Sequence, residues 1–213
     1  MSSSKYTWLI DAGHGGIDDY GIYNTPGKQY HFVQEPISIY EGDINRKIAN
    51  RLIKRLEQNN ISYVNITPGT DDIPLSKRVA TANHLHKTKG NTIYISIHSN
   101  AVSNTTKGYG SNATGYEIFT SVGQTESDKV AEVFLKTYMK YFTNVRARVD
   151  NSDGDLDKEA QFYVLRKTIG PAILIENLFY DNIKEAKYLL SEQGQDYIAA
   201  MMYRAIEAYE SQS

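Results

Sequence analysis

The chain of 213 residues contains no cysteine. That rules out a disulfide framework, a thiolate metal site and a cysteine nucleophile, so any metal must be held by His, Asp or Glu. It says nothing of compartment, because a disulfide-free protein tolerates oxidising and reducing surroundings alike. Excess charge of one sign is also missing. With 23 Lys+Arg against 25 Asp+Glu the net charge is −2, and no basic face is available to bind nucleic acid by neutralising phosphates. Long apolar runs are absent too. The longest are strand-sized, far short of the roughly 18 residues that cross a bilayer, so no membrane insertion is expected. The start, Met1-Ser-Ser-Ser-Lys-Tyr-Thr-Trp8, lacks a basic segment followed by an apolar one. It is not a secretory signal, and the product is expected in the cytoplasm when synthesised. What is present, 40% apolar and 23% charged residues, suits a folded core rather than a disordered chain.

Short apolar runs alternate with helical periodicity, which predicts a single domain over residues 1–213: a three-layer α/β/α fold around a mostly parallel, twisted sheet of about six strands. Strands are expected at Tyr6 to Asp11, Ile61 to Thr67, Asn91 to His98, Gly115 to Thr120, Phe162 to Arg166 and Ala172 to Asn177. Helices are expected from Asp43 to Gln58, with Ile44, Ile48, Leu52 and Leu56 as a buried stripe, from Leu75 to Lys87, and from about Glu126 to Phe142. A last helix or pair packs through Ile198, Met201, Met202, Ala205 and Tyr209. Three long polar loops, Ile17 to Tyr40, Ser99 to Thr114 and Thr143 to Gln161, interrupt the pattern. Loops of that length are unusual unless they are disordered or line a site.

In an open α/β sheet, ligands bind beyond the carboxyl ends of the strands. His14 lies just past the first strand, His98 ends the central one, Glu176 ends the last apolar one, and Glu41 just precedes a helix. Two imidazoles and a carboxylate form a catalytic zinc set with one open position, and a further carboxylate could shuttle protons. Each residue also has a structural reading. His14 suits a turn, and His98 suits a satisfied rim histidine. Glu41 completes the capping-box pattern Ser38-Ile39-Tyr40-Glu41. Glu176 is the sharpest, because a carboxylate after Ala172-Ile173-Leu174-Ile175 is costly to bury unpaired.

Four blocks, Asp11-Ala12-Gly13-His14-Gly15-Gly16, Glu41-Gly42-Asp43-Ile44-Asn45, Ser96-Ile97-His98-Ser99-Asn100-Ala101 and Ile175-Glu176-Asn177-Leu178-Phe179, resemble in order and spacing the signature of the zinc-dependent N-acetylmuramoyl-L-alanine amidases of the amidase 3 type. The resemblance runs from Trp8 to Tyr209. It includes the helix Leu75 to Asn83 and the segment Val164-Leu165-Arg166 with Thr168 and Pro171. It implies that His14, Glu41 and His98 hold zinc and that Glu176 is the catalytic acid/base. Glu117, in Gly115-Tyr116-Glu117-Ile118-Phe119, matches a family glutamate near the site and is carried as a second catalytic candidate. Asn100, Arg78 and Arg166 are carried as candidate substrate-binding residues. The implied partner is peptidoglycan, attacked at the muramic acid–L-alanine amide, by a monomer that reaches the wall after release in phage lysis or as part of a larger exported protein. Two departures stand beside the site: Asn177-Leu178-Phe179 replaces the family's glycine-phenylalanine-leucine, and Ser99 occupies its small position after the second histidine.

Other readings remain at this level. A zinc peptidase or carboxypeptidase could use the same metal set, although the helical His-x-x-Glu pattern is absent, Ile17 standing third after His14. A non-catalytic wall-binding module is expected to have lost a ligand or the acid. The chain holds 17 Tyr, and the cluster Tyr20, Tyr23, Tyr30, His31 and Phe32 either packs its loop or offers faces to sugars. The acidic run Asp153-Gly154-Asp155-Leu156-Asp157 does not fit a calcium-binding EF-hand loop. Its sixth position is Lys158 and its twelfth Val164, so it reads as a solvated loop with at most weak calcium binding.

Overall fold

The structure, a computed structural model, describes residues 4–152 and 154–212. Residues 1–3, part of the segment read above as no signal, and Asp153 of the acidic run lie outside them. The elements in chain order are β1 (Thr7–Ala12), β2 (Gln29–Phe32), β3 (Ser38–Tyr40), α1 (Glu41–Gln58), β4 (Tyr63–Asn65), α2 (Leu75–Lys89), β5 (Thr92–Asn100), β6 (Lys107–Gly108), β7 (Tyr116–Thr120), α3 (Glu126–Tyr141), β8 (Lys158–Glu159), α4 (Tyr163–Lys167), β9 (Ala172–Phe179), α5 (Ile183–Leu190) and α6 (Glu192–Gln212). Six strands form one sheet in the order β4-β1-β5-β9-β7-β8. Every pair in it is parallel except β7 against β9.

The period-two alternation of each strand sorts the layers. Trp8, Ile10 and Ala12 of β1, the isoleucines 93, 95 and 97 of β5, and Ile173 and Ile175 of β9 face one core with α1, α3, α5 and α6. Leu9, Tyr94, Ala172 and Leu174 face the other, packed on Val79 and Ala82 of α2 and Val164 and Leu165 of α4. The expected α1 stripe of Ile44, Ile48, Leu52 and Leu56 is buried, and Ile198, Met201, Met202 and Ala205 of α6 lie in the same core, with Tyr209 packed against it. Among the described residues no helix is long and apolar enough to cross a membrane.

Two expectations are corrected. The segment Phe162 to Arg166 is not a strand; Tyr163–Lys167 is the single-turn helix α4. Its two buried apolar residues, Val164 and Leu165, are adjacent, and five residues are too few to separate a period of 3.6 from one of 2. The long loops are not structureless either. β2, β3 and β6 make a second, three-stranded sheet that holds Tyr30, Phe32 and Ile39 in the core.

Candidate metal centre and active site

β1 ends in Ala12, and the chain turns through Gly13 into His14, which sits in the left-handed region at φ 65. A Cβ on Gly13 would lie 2.2 Å from the His98 ring, so only glycine lets the turn pass beside that imidazole. Arg46 Nη1 donates to the His14 carbonyl at 2.5 Å and Arg46 Nε to the Gly69 carbonyl at 2.8 Å. Those bonds fix the turn against α1.

Glu41 is the first residue of α1, and its capping-box reading does not hold. The N-cap is Tyr40, with no side-chain cap bond, and Ser38 belongs to β3, where its hydroxyl meets His31 Nδ1 at 2.7 Å. The Glu41 carboxylate, 2% exposed, turns inward instead. Its Oε2 lies 3.2 Å from His14 Nε2 and its Oε1 3.0 Å from His98 Nδ1. The two imidazoles stand perpendicular, with ring centroids 5.0 Å apart. One donor atom from each of His14, Glu41 and His98 lies within 4.8 Å of the others. Asn45, one turn along α1, donates to Glu41 Oε1 and to the Gly13 carbonyl, each at 3.3 Å, orienting the carboxylate from behind. Burial alone would raise the Glu41 carboxyl; hydrogen bonds from both histidines outweigh it and hold the group below the usual carboxylate range. Burial likewise pulls the His98 imidazole down, and Glu41 and Glu176 bring it above its ordinary value.

Two nitrogens and one carboxylate oxygen converging from three elements, with a side-chain amide behind, are a donor set that fits zinc and leaves a fourth position for water or substrate.

Strand register places the fourth residue. His98 of β5 pairs with Glu176 of β9, and Glu176 pairs with Glu117 of β7. All three therefore project from one face of the sheet in a row, the face that α2 and α4 cover further down. Glu176 Oε2 is buried without a hydrogen-bond partner among the described residues. Burial pushes its carboxyl up to about 8; His98 works against this, and Glu41 and Glu117 add to it. Such a carboxyl is poised to exchange a proton near neutral pH. It opens with His14, Glu41 and His98 onto a cavity of about 700 Å³.

The remaining candidates separate. Asn100 lines the cavity, and its Nδ2 donates to Glu117 Oε2 at 2.9 Å. Glu117 is not among the cavity-lining residues. Its Oε1 accepts from Arg148 Nε at 2.5 Å and Lys158 Nζ at 2.8 Å. Burial raises its carboxyl, but these two cations outweigh burial and leave it below its ordinary value. Glu117 is thus held as an anion and in turn holds Asn100, a geometry that suits positioning more than proton transfer. Arg78 borders the cavity, yet its guanidinium is bonded to Asp11 Oδ1 at 2.7 Å, to the Ala12 carbonyl at 2.9 Å and to Asp72 at 3.1 Å. It secures β1 and the histidine turn and has little left for a substrate. Arg166 is exposed on α4, and the cavity is lined instead by its neighbours Phe162, Tyr163 and Val164.

Sequence reasoning missed Lys28, Tyr180, Phe162 and Tyr163 as lining residues, and Arg148 and Lys158 as the partners of Glu117. All lie in or beside irregular segments, where no periodicity points inward. The aromatic cluster divides: Tyr30 and Phe32 are core, whereas Tyr20 stands in solvent.

An N-acetylmuramoyl-L-alanine amidase from Clostridium difficile 630 is similar in structure, with a TM-score of 0.77 at 30% identity, covering 98% of each chain. The N-acetylmuramoyl-L-alanine amidase CwlM of Bacillus licheniformis is 30% identical over 86% of this chain and 60% of its own length. The endolysin of Bacillus phage SPP1 is 30% identical over 87% of this chain and 59% of its own. This chain therefore spans about three-fifths of those two relatives. The model of the Amidase_3 family, described as N-acetylmuramoyl-L-alanine amidase, matches residues 9–208, and the chain belongs to that family.

Proposed function

We propose that this chain is a zinc-dependent peptidoglycan hydrolase that cleaves the amide joining N-acetylmuramic acid to the L-alanine of the stem peptide. One observation carries the reading. His14, Glu41 and His98 present three donor atoms within 4.8 Å of one another, and Glu176, in register with His98, stands beside them with a buried oxygen that no described residue satisfies. Membership of the family supports the bond cleaved.

His14, Glu41 and His98 would hold the zinc, which when bound polarises a carbonyl and acidifies a water. Glu176 accepts the proton of the attacking water and returns it to the L-alanine nitrogen as the amide breaks, because an amine leaves only when protonated. Asn45 keeps Glu41 oriented, and Asn100, held by Glu117, borders the place where the scissile amide must lie. The exposed Lys28, Phe162 and Tyr163 and the buried ring of Tyr180 line the cavity and offer one cation and three rings to a glycan with an acidic peptide stem. The enzyme meets this substrate after release from the cell or as part of a larger exported protein.

A digest of purified peptidoglycan tests the reading. The expected products carry new free L-alanine amino groups with no new reducing ends, and metal analysis finds one zinc per chain at this site. New amino groups on other stem residues would instead make the chain a peptidase, and absence of cleavage by zinc-loaded protein would make it a binding module.

A further inference from the structure

The acidic run that fits no EF-hand loop is not simply solvated. Asp157 is 2% exposed, Asp155 is half-buried beside it, and both meet a third carboxylate from a different element, Asp128 in the first turn of α3, 8% exposed. One carboxylate oxygen of each lies within 4.8 Å of the other two. Part of each group is already used. Asp157 Oδ2 accepts from Thr120 Oγ1 at 2.6 Å, Asp155 Oδ2 from Gln124 Nε2 at 3.0 Å, and Asp128 closes the capping box of α3 with Thr125. Asp157 Oδ1 and Asp155 Oδ1 are buried with no hydrogen-bond partner among the described residues. Among the described residues no arginine or lysine forms an ion pair with the three carboxylates. Lys129, which lines the adjoining cleft, is bound outward to Glu126 at 2.6 Å.

Buried carboxylate oxygens without a donor or a countercharge are costly, and Asp155 and Asp157 each carry one beside the third carboxylate of Asp128. We propose that Asp128, Asp155 and Asp157 form a second cation site, separate from the histidine centre, that takes Ca²⁺. An all-oxygen donor set with no histidine favours a hard ion over zinc. The irregular segment that supplies Asp155 and Asp157 suits the flexible shell of calcium better than the strict octahedron of magnesium. Water from the cleft, which includes Gly154 and Gln124 in its lining, completes the shell. In agreement, burial pushes the Asp157 carboxyl up to about 7 in the ion-free protein, despite the Thr120 hydrogen bond.

The ion would tie three pieces together: the start of α3, the loop before β8, and β7 through Thr120. Lys158 follows Asp157 directly and holds Glu117 at 2.8 Å. The site therefore anchors the strand that feeds the amidase centre, without touching substrate.

Calorimetric titration of CaCl₂ into the full chain, zinc supplied beforehand, tests this directly. Wild type is expected to show one saturable site with a Kd of about 0.1–1 mM, in the range of exposed extracellular calcium modules. At about ten times Kd, Tm should rise by roughly 3–6 °C. Asp155→Asn, on the half-exposed loop, should fold and weaken binding at least about ten-fold, and Asp157→Asn should abolish both binding and the Tm rise. Absence of saturable binding up to about 10 mM would overturn the site, leaving carboxyls that share a proton only. Binding unchanged by Asp155→Asn would overturn it as well, because the ion would then sit elsewhere.

Discussion

Glu176 illustrates how much a single position can carry. Set between Ile175 and Asn177 in β9, it is half-buried in the cavity wall, and burial sets its affinity for a proton. A carboxyl of this kind works as base and acid in turn, whereas its amide isostere keeps the shape and loses the proton. Glu176→Gln should therefore retain zinc and fold but lose at least about 100-fold in turnover; steady-state rates on peptidoglycan beside metal content check it, and near-normal turnover would remove Glu176 from the chemistry. Glu117 should behave differently. Its hydrogen bonds to Arg148 and Lys158 make it a fixed anion, so Glu117→Gln should keep turnover within about ten-fold and leave the pH–rate profile where it was, with a lower Tm. A displaced profile would place Glu117 among the acid/base groups. Asn177 supplies a further support: its Nδ2 donates to the His98 carbonyl at 3.1 Å, and Tyr138 donates to its Oδ1 at 3.1 Å. The departure from the family's glycine at this position thus adds a clamp across the two strands that carry His98 and Glu176.

At the scale of elements, the geometry depends on how β1 is held at its carboxyl end. Asp11 is fully buried and accepts from Arg78, Ser96 and Tyr94, while the same guanidinium reaches the Ala12 carbonyl. The pair thus joins α2, β1 and β5 directly beneath the histidine turn. Removing one partner of such a pair strands a buried charge, so Arg78→Ala should cost about 3–5 kcal/mol, read as a shift in the denaturant midpoint. A change below about 1 kcal/mol would mean that water reaches Asp11. This is also where legibility from the sequence divides. Five of the six sheet strands and α1, α2, α3 and α6 were readable from their apolar periodicity, whereas β8, two residues inside an expected loop, was not. His14, His98 and Glu176 were readable because parallel α/β sheets place ligands at strand ends. α4 was misread for lack of length. The pairing of Arg78 with Asp11 was not legible because a charge on a helix face looks the same in sequence whether it meets substrate or a buried aspartate. Arg148 and Lys158 were invisible, since only tertiary packing brings that loop to β7.

For the whole molecule, the metal centre couples folding to pH, because its ligands come from the β1 turn, α1 and β5, which separate on unfolding. In metal-free protein the signs can be followed group by group. Glu41, held below its ordinary 4.5, adds stability that is present above that value and lost as pH falls. His98, raised above its ordinary 6.5, adds stability below that value that is lost as pH rises through its folded pKa. Glu176, raised from 4.5 to about 8, keeps its proton in the fold while the unfolded chain has lost it, so stability declines across that interval. The contribution of these three groups to the metal-free protein should be greatest near pH 4.5–5 and weaken towards pH 8, more steeply above 6.5 where both His98 and Glu176 contribute. Zinc binding runs the other way, since it needs neutral imidazoles and ionised carboxylates. The rise in Tm on adding zinc, in calcium-free buffer, should therefore be larger at pH 8 than at pH 5.5 and vanish in His98→Ala. Thermal unfolding of the zinc-loaded and chelated forms across that range decides it: an increment that is flat with pH, or that survives in His98→Ala, would mean that these three side chains do not hold the metal as a unit.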